Sequence, residues 1–223
     1  TDFIELEKGM TRINVKLKAT EETDINGAGP KINSDALQQL FSKLDQLKKG
    51  DYLVLAGSIP KSMPSDIYEK IMERLQNKGI MFVVDATKDL LLNVLKYKPF
   101  LIKPNNHELG EMFGVQLKSD DEIVHYAEKL QEMGAENVVV SMAGDGAMLV
   151  DSNGAVTKIG VPKGKVVNSV GAGDSMVAGF IAGYTETGDY SYSLRLGSAA
   201  GSATAFSEGL ATKKKIFELI NKF

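Results

Sequence analysis

The sequence predicts an α/β protein, with a mostly parallel central sheet covered by helices on both faces. Two observations carry that reading. Short apolar runs such as Tyr52-Leu53-Val54-Leu55-Ala56 and Ile80-Met81-Phe82-Val83-Val84 alternate with stretches whose apolar residues recur at helical spacing. Strands that read as continuous apolar runs, separated by amphipathic helices, belong to sheets buried on both sides.

Taken in order, residues 11–19 and 22–27 read as two short strands joined at Ala19-Thr20-Glu21. Ser34 precedes a helix with Leu37, Leu40, Phe41, Leu44 and Leu47 on one face. Residues 52–56 form a strand ending at Gly57-Ser58-Ile59-Pro60, and Pro64 opens a helix that closes at Gly79. The strand 80–84 ends at Asp85, and a helix over 88–97 leads into the strand Phe100-Leu101-Ile102-Lys103. Ser119 and Glu122 have capping-box spacing before Ile123, Ala127 and Leu130. Asn137–Ser141 is a strand, and 147–151 with 155–161 form a hairpin around Ser152-Asn153-Gly154.

Composition removes several classes of function. At 223 residues the chain can bury a substantial core as one domain. A net charge of −3 with scattered lysines gives no footprint for nucleic acid. The run Lys213-Lys214-Lys215 is expected to face solvent at the start of the last helix. With no cysteine and only His107 and His125, thiolate chemistry and a multi-histidine zinc site are excluded. Neither histidine is assigned a role; both are expected on exposed helix surface. No apolar run approaches ~18 residues and no signal peptide is visible, so no membrane partner is expected and the cytoplasm is the default location.

The most informative stretch is Asn168-Ser169-Val170-Gly171-Ala172-Gly173-Asp174, a glycine turn and an acid followed by a helix of small residues. Such a turn aims backbone N–H groups into one concavity at a helix N-terminus, which suits phosphate. An aspartate there costs energy beside a phosphate, which points to a base acting on an attacking hydroxyl. The competing reading makes Asp174 a helix N-cap. Other polar residues fall at strand ends: Ser58, Asp85, Lys103 with Asn105 and Glu108, and Ser141. Ligands of open α/β sheets bind beyond the carboxyl ends of strands, so one site at that edge is expected.

These residues carry a resemblance. Asn168–Asp174, Lys103-Pro104-Asn105-Asn106-His107-Glu108, Ala56–Pro60, Ser141–Gly146 and Thr11-Arg12-Ile13-Asn14-Val15 resemble, in order, motifs of the ribokinase-like carbohydrate kinases of the phosphofructokinase B type. The resemblance implies a three-layer α/β/α fold, one kinase domain over 1–223 and a β lid that includes 11–32. It implies ATP and Mg²⁺, with Asp174 as base and Gly171, Ala172 and Gly173 as anion hole. Asn105 and Glu108 would organise Mg²⁺ and the phosphates, Glu108 through water; the alternative is a plain helix start. Lys103 would meet the nucleotide phosphates, or else be a solvated strand-end lysine. Ser141, Gly144, Gly146, Ser169 and Val170 complete the implied nucleotide site.

Ser198 and Ser202, in a helix of small residues, are further nucleotide candidates, although such residues also serve close helix packing. Arg12, with Asn14 and Ser58, would contact the phosphate already on the sugar, a task that suits a guanidinium fork; the alternative is an ordinary strand arginine. The implied reaction phosphorylates fructose 1-phosphate, with tagatose 6-phosphate and fructose 6-phosphate as alternative acceptors. A homodimer through the β lid is implied as well.

Two departures stand out. Ala143 occupies a position where the family generally has glycine, so its φ is expected to be negative. Asn168-Ser169 replaces the more usual Asp-Thr and reads as a subgroup mark. Members of the family begin with a segment carrying the first sheet strand and part of the sugar site, so this chain is expected to be a truncated piece, prone to associate through its exposed sheet edge. A nucleotide-binding module without turnover is therefore a second reading. A dinucleotide oxidoreductase is disfavoured, because no Gly-x-Gly-x-x-Gly follows the first strand.

Overall fold

A computed structural model describes residues 1–18 and 22–223; the expected turn at 19–21 lies outside the described residues. The chain forms two compact units, Thr1–Phe82 and Val83–Phe223. Among the described residues, no helix is long and apolar enough to cross a membrane.

In the first unit, β1 (Asn14–Lys18) and β2 (Glu22–Asn26) pair antiparallel, with Asn14 opposite Asn26 and Val15 opposite Ile25. Helix α1 (Ser34–Leu44) starts one residue earlier in register than expected: Asn33 is its cap, and its side chain accepts from the Ala36 amide. Strand β3 (Tyr52–Ala56) follows. Helix α2 (Ile67–Leu75) begins three residues after Pro64, whose carbonyl accepts the Ile67 amide. Its face of Ile67, Ile71, Met72 and Leu75 is fully buried. Across the surface, Arg74 forks onto both oxygens of Asp45 at 2.7 and 2.6 Å and lies over the Phe41 ring.

Strand β4 (Met81–Asp85) carries the chain into the second unit. There β4, β5 (Leu101–Ile102) and β6 (Asn137–Ser141) are parallel neighbours, and β7 (Ala147–Val150) and β8 (Val156–Ile159) extend the sheet antiparallel. Val83, Val84, Leu101, Ile102, Val138–Val140 and Ala147–Val150 are all buried, as expected for strands covered on both faces. Segment 88–97 is not one helix: α3 (Asp89–Leu92) is a single turn, followed by a 3₁₀ turn at Leu95–Tyr97. Lys98 stands in the left-handed region directly after it, so the chain turns there instead of continuing helical.

Helix α4 (Asn106–Phe113) and α5 (Asp120–Glu132) come next. The cap of α5 is shifted from the expected box: Ser119 accepts the Glu122 amide, but the Glu122 carboxylate takes the Lys118 amide. The last helices are α6 (Ala172–Thr187), α7 (Tyr190–Ala205) and α8 (Lys213–Ile220). Helices α6 and α7 touch backbone to backbone. A Cβ on Gly197 would lie 2.7 Å from the Met176 carbonyl, and one on Gly179 would lie 2.8 Å from the Leu196 carbonyl. Lys215 does not simply face solvent; its ammonium donates to the Phe206 carbonyl and the Ser207 hydroxyl.

Candidate active site

Strand and helix ends of the second unit gather around one cleft of about 920 Å³, near the top of the ~300–1,000 Å³ common for small-molecule sites. Asn105, Ser141, Gly144, Gly146, Ser169, Ala172, Gly173, Ser198 and Ser202 all line it. The parallel sheet makes this meeting possible: Asn105 and Ser141 are bridged at the ends of adjacent strands, and the Ser141 amide donates to the Pro104 carbonyl. Gly146 takes φ 94°, and a Cβ there would stand 1.9 Å from the Ile159 carbonyl, so only glycine fits.

Ala143 corrects one expectation. Its φ is +48°, in the left-handed region, where the methyl crowds the carbonyl at a cost of about 1–2 kcal/mol. The loop keeps a glycine-like conformation without the glycine. Asn168 has a structural reason to replace an acid: its side-chain amide donates to the Glu208 carbonyl and its Oδ1 accepts the Val170 amide. A carboxylate could not make the first of these bonds. Val170 is not on the cleft wall; it is about half exposed.

The start of α6 is open. Its N-cap is Gly171 at φ 79°, with no side chain closing the turn. Asp174 is therefore not the cap. It stands at the third helical position, exposed, and its carboxylate makes no hydrogen bond or ion pair among the described residues. The amides of Gly171, Gly173 and Asp174 likewise make no backbone hydrogen bond among those residues. Ala172 differs from expectation, because its amide donates to the Ser169 carbonyl at 3.1 Å. Three amides remain available at the positive end of a 16-residue helix.

The start of α4, on the same cleft, is closed. Asn105 Oδ1 accepts the Glu108 amide and Glu108 Oε2 accepts the Asn105 amide, both at 2.8 Å. This is a complete capping box, so the helix-start reading of the Asn-x-x-Glu spacing is realised. It leaves one Glu108 oxygen unused. Among the described residues, no three His, Asp or Glu converge closely enough to hold a metal directly.

Lys103 is not a solvated lysine. It is 8 % exposed, pairs with Asp85 at 3.2 Å, and lies 3.3 Å from where a Cβ on Gly173 would be. Burial pushes the Asp85 carboxyl above the usual carboxylate range; Lys103 pulls it back, while the charges of Asp174 and Glu108 raise it further. Asp85 stands at a strand end, the signal that points to it in the sequence, but it belongs to none of the motifs. His107 and Asn106 were not expected on the cleft and line it, because the first turn of α4 faces that way. Met176, Val161 and Phe206 supply apolar walls. Ser198 is 2 % exposed and its hydroxyl has no hydrogen-bond partner among the described residues, an orphan polar atom on the wall of the cleft.

In the first unit, Arg12, Asn14 and Ser58 form a separate polar group. The Arg12 fork donates to Asn14 Oδ1 at 2.8 Å, Ser58 Oγ at 3.1 Å and Asn26 Oδ1 at 3.5 Å. All three acceptors are neutral, and no carboxylate among the described residues pairs with this guanidinium. A charge oriented but not neutralised is suited to an anionic ligand.

A family model described as pfkB family carbohydrate kinase matches residues 1–216. The chain is 52 % identical over 220 residues to the 1-phosphofructokinase of Bacillus subtilis, covering 99 % of this chain and 72 % of that protein. It is 39 % identical to the D-tagatose-1-phosphate kinase of Bacillus licheniformis, covering 97 % of this chain and 71 % of that one. The structure of Arabidopsis thaliana ribokinase, solved with ribose and ATP, superposes with a TM-score of 0.78 at 20 % identity over 99 % of this chain and 74 % of that one, which establishes the ribokinase-like α/β fold. The chain belongs to the pfkB family of carbohydrate kinases.

Proposed function

We propose that the protein transfers the terminal phosphoryl group of ATP to fructose 1-phosphate, giving fructose 1,6-bisphosphate and ADP in the cytoplasm. The observation that carries this reading is the unpaired Asp174 carboxylate standing among the free amides of Gly171, Gly173 and its own N–H. The carboxylate takes the proton of the sugar hydroxyl as that oxygen bonds to the terminal phosphorus and the bond to the ADP oxygen breaks. The amides and Lys103 meet the charge spread over the transferred group. Gly144, Gly146 and Ser141 leave room for the other phosphates. The adenine of ATP lies against the wall where Ser198 and Ser202 of α7 offer hydroxyls and Met176 of α6 and Phe206 offer apolar surface.

The residues fit a nucleotide: the cleft has the size, an open helix end and an orphan hydroxyl. Mg²⁺, when bound, neutralises phosphate charge and orients the donor. The free oxygen of Glu108 would hold its hydration shell, with Asn105 fixing that side chain. The Arg12 group takes the phosphate that the sugar already carries. The names of both relatives place a phosphate at carbon 1, which favours D-tagatose 1-phosphate as the second acceptor over a 6-phosphate.

A second copy of the chain fits the β1–β2 sheet. Val15 and Leu17 alternate along β1, Ile25 pairs opposite Val15, and all three are exposed on one face. Light scattering should find a dimer that Val15→Lys splits. The test of the reaction is coupled ADP release with fructose 1-phosphate, tagatose 1-phosphate, fructose 6-phosphate and tagatose 6-phosphate. Fructose 1-phosphate should give the highest kcat/KM. ADP release that no sugar phosphate stimulates would leave a nucleotide-binding module.

A further inference from the structure

We propose that Asp85 is a positioning residue for phosphoryl transfer, holding the Lys103 ammonium beside Gly173 at the open start of α6. The proposal rests on the kinase reading above and adds a residue that it does not use.

The geometry sets an electrostatic problem. Lys103 projects from the end of β5, is almost fully buried, and brings its charge 3.3 Å from the position of a Gly173 Cβ. That is the positive end of α6, where a cation is repelled by the helix dipole and the free amides. A lysine has four rotatable bonds, and left alone it would swing away from such a position. Asp85 is the carboxylate that pairs with it, at 3.2 Å. It stands at the end of β4, directly beside β5 in the parallel sheet, with Val84 and Ile102 in register one residue before each. Both partners are thus fixed by sheet strands rather than by loops, and their separation follows from sheet geometry.

Asp85 is itself mostly buried, its side chain about one-fifth exposed, and the same ammonium lies close to Gly173 at the start of α6. One ammonium can therefore keep its carboxylate contact and present its remaining protons to a phosphate oxygen. A buried charge pair costs desolvation that its own attraction does not always repay. Retaining one at the mouth of an anion site is consistent with a positioning task, not with stability alone.

A double-mutant cycle tests the assignment, with kcat and KM for ATP and for fructose 1-phosphate measured on the protein, Asp85→Asn, Lys103→Met and the double variant. Asp85→Asn should lower kcat/KM for ATP on the order of a hundredfold, the scale of a misplaced catalytic group, and leave KM for the sugar phosphate within about twofold. In the Lys103→Met background the same change should cost less than about threefold. Equal losses in both backgrounds would show Asp85 acting independently of Lys103 and overturn the proposal. Thermal melts accompany the kinetics. If Asp85→Asn does not fold, Asp85→Glu keeps the charge on a longer arm: it should melt as the parent protein does and run on the order of tenfold slower, and unchanged activity would overturn the proposal. A parent protein that phosphorylates none of the sugar phosphates would defeat the kinase reading itself, whereas an active parent with an additive cycle defeats only the role of Asp85.

Discussion

Two helices begin at the same cleft and are finished in opposite ways. Helix α4 begins with a reciprocal pair of hydrogen bonds between Asn105 and Glu108, which satisfies the amides of those two residues; the amides of Asn106 and His107 make no backbone hydrogen bond among the described residues. Helix α6 begins on a glycine in the left-handed region and leaves the amides of Gly171, Gly173 and Asp174 without backbone partners among the described residues. A boxed start fixes its own acidic side chain. An open start at the end of 16 aligned peptides is an unsatisfied anion site. In the function proposed above, the difference separates two roles that one motif-based reading would merge: α6 would supply amides for the transferred phosphate, and α4 a rigidly held carboxylate.

The largest effect should come from the open end. Asp174→Asn keeps the size of the side chain and removes the base, so turnover should fall on the order of 10³-fold while ATP affinity by calorimetry is preserved or improved. Arg12→Ala comes next: KM for fructose 1-phosphate should rise at least tenfold, with KM for ATP unchanged, and equal effects on both would remove Arg12 from the sugar site. At the closed end, Glu108→Gln separates structure from chemistry. Glutamine can complete a capping box, so the melting temperature should hold while the Mg²⁺ concentration for half-maximal rate rises several-fold. A lowered melting point with unchanged Mg²⁺ dependence would make Glu108 a cap alone. Asn105→Ala removes the other half of the box and should cost about 1 kcal/mol in denaturant unfolding. The smallest change is Ala143→Gly, which relieves the left-handed alanine and should stabilise the protein by up to ~1 kcal/mol with little effect on rate.

The sheet was legible from its apolar runs because strands buried on both faces show no competing pattern; Asn137–Ser141 appears with the same bounds in both. Segment 88–97 was not: its apolar spacing is helical, but Lys88 and Lys98 take positive φ at its two ends and the stretch between them breaks into one α turn and one 3₁₀ turn, which no periodicity reveals. The glycine turn marked the open start of α6, yet which amides stay free depends on one local bond, Ala172 to Ser169. Lys103 and Asp85 lie 18 positions apart in the sequence and meet only because β4 and β5 are parallel neighbours. Ala143 was read as needing a negative φ, and the loop imposes the opposite because the geometry is set by its ends.

The central claim is that the donor phosphate sits on the open start of α6 while the start of α4 keeps its own bonds. Amide hydrogen exchange by NMR, with and without a non-hydrolysable ATP analogue and Mg²⁺, tests it residue by residue. The amides of Gly171, Gly173 and Asp174 should exchange rapidly alone and become strongly protected on binding, with those of Asn105 and Glu108 protected in both states. Binding that protects the α4 amides and leaves the three at α6 exchanging freely would contradict it.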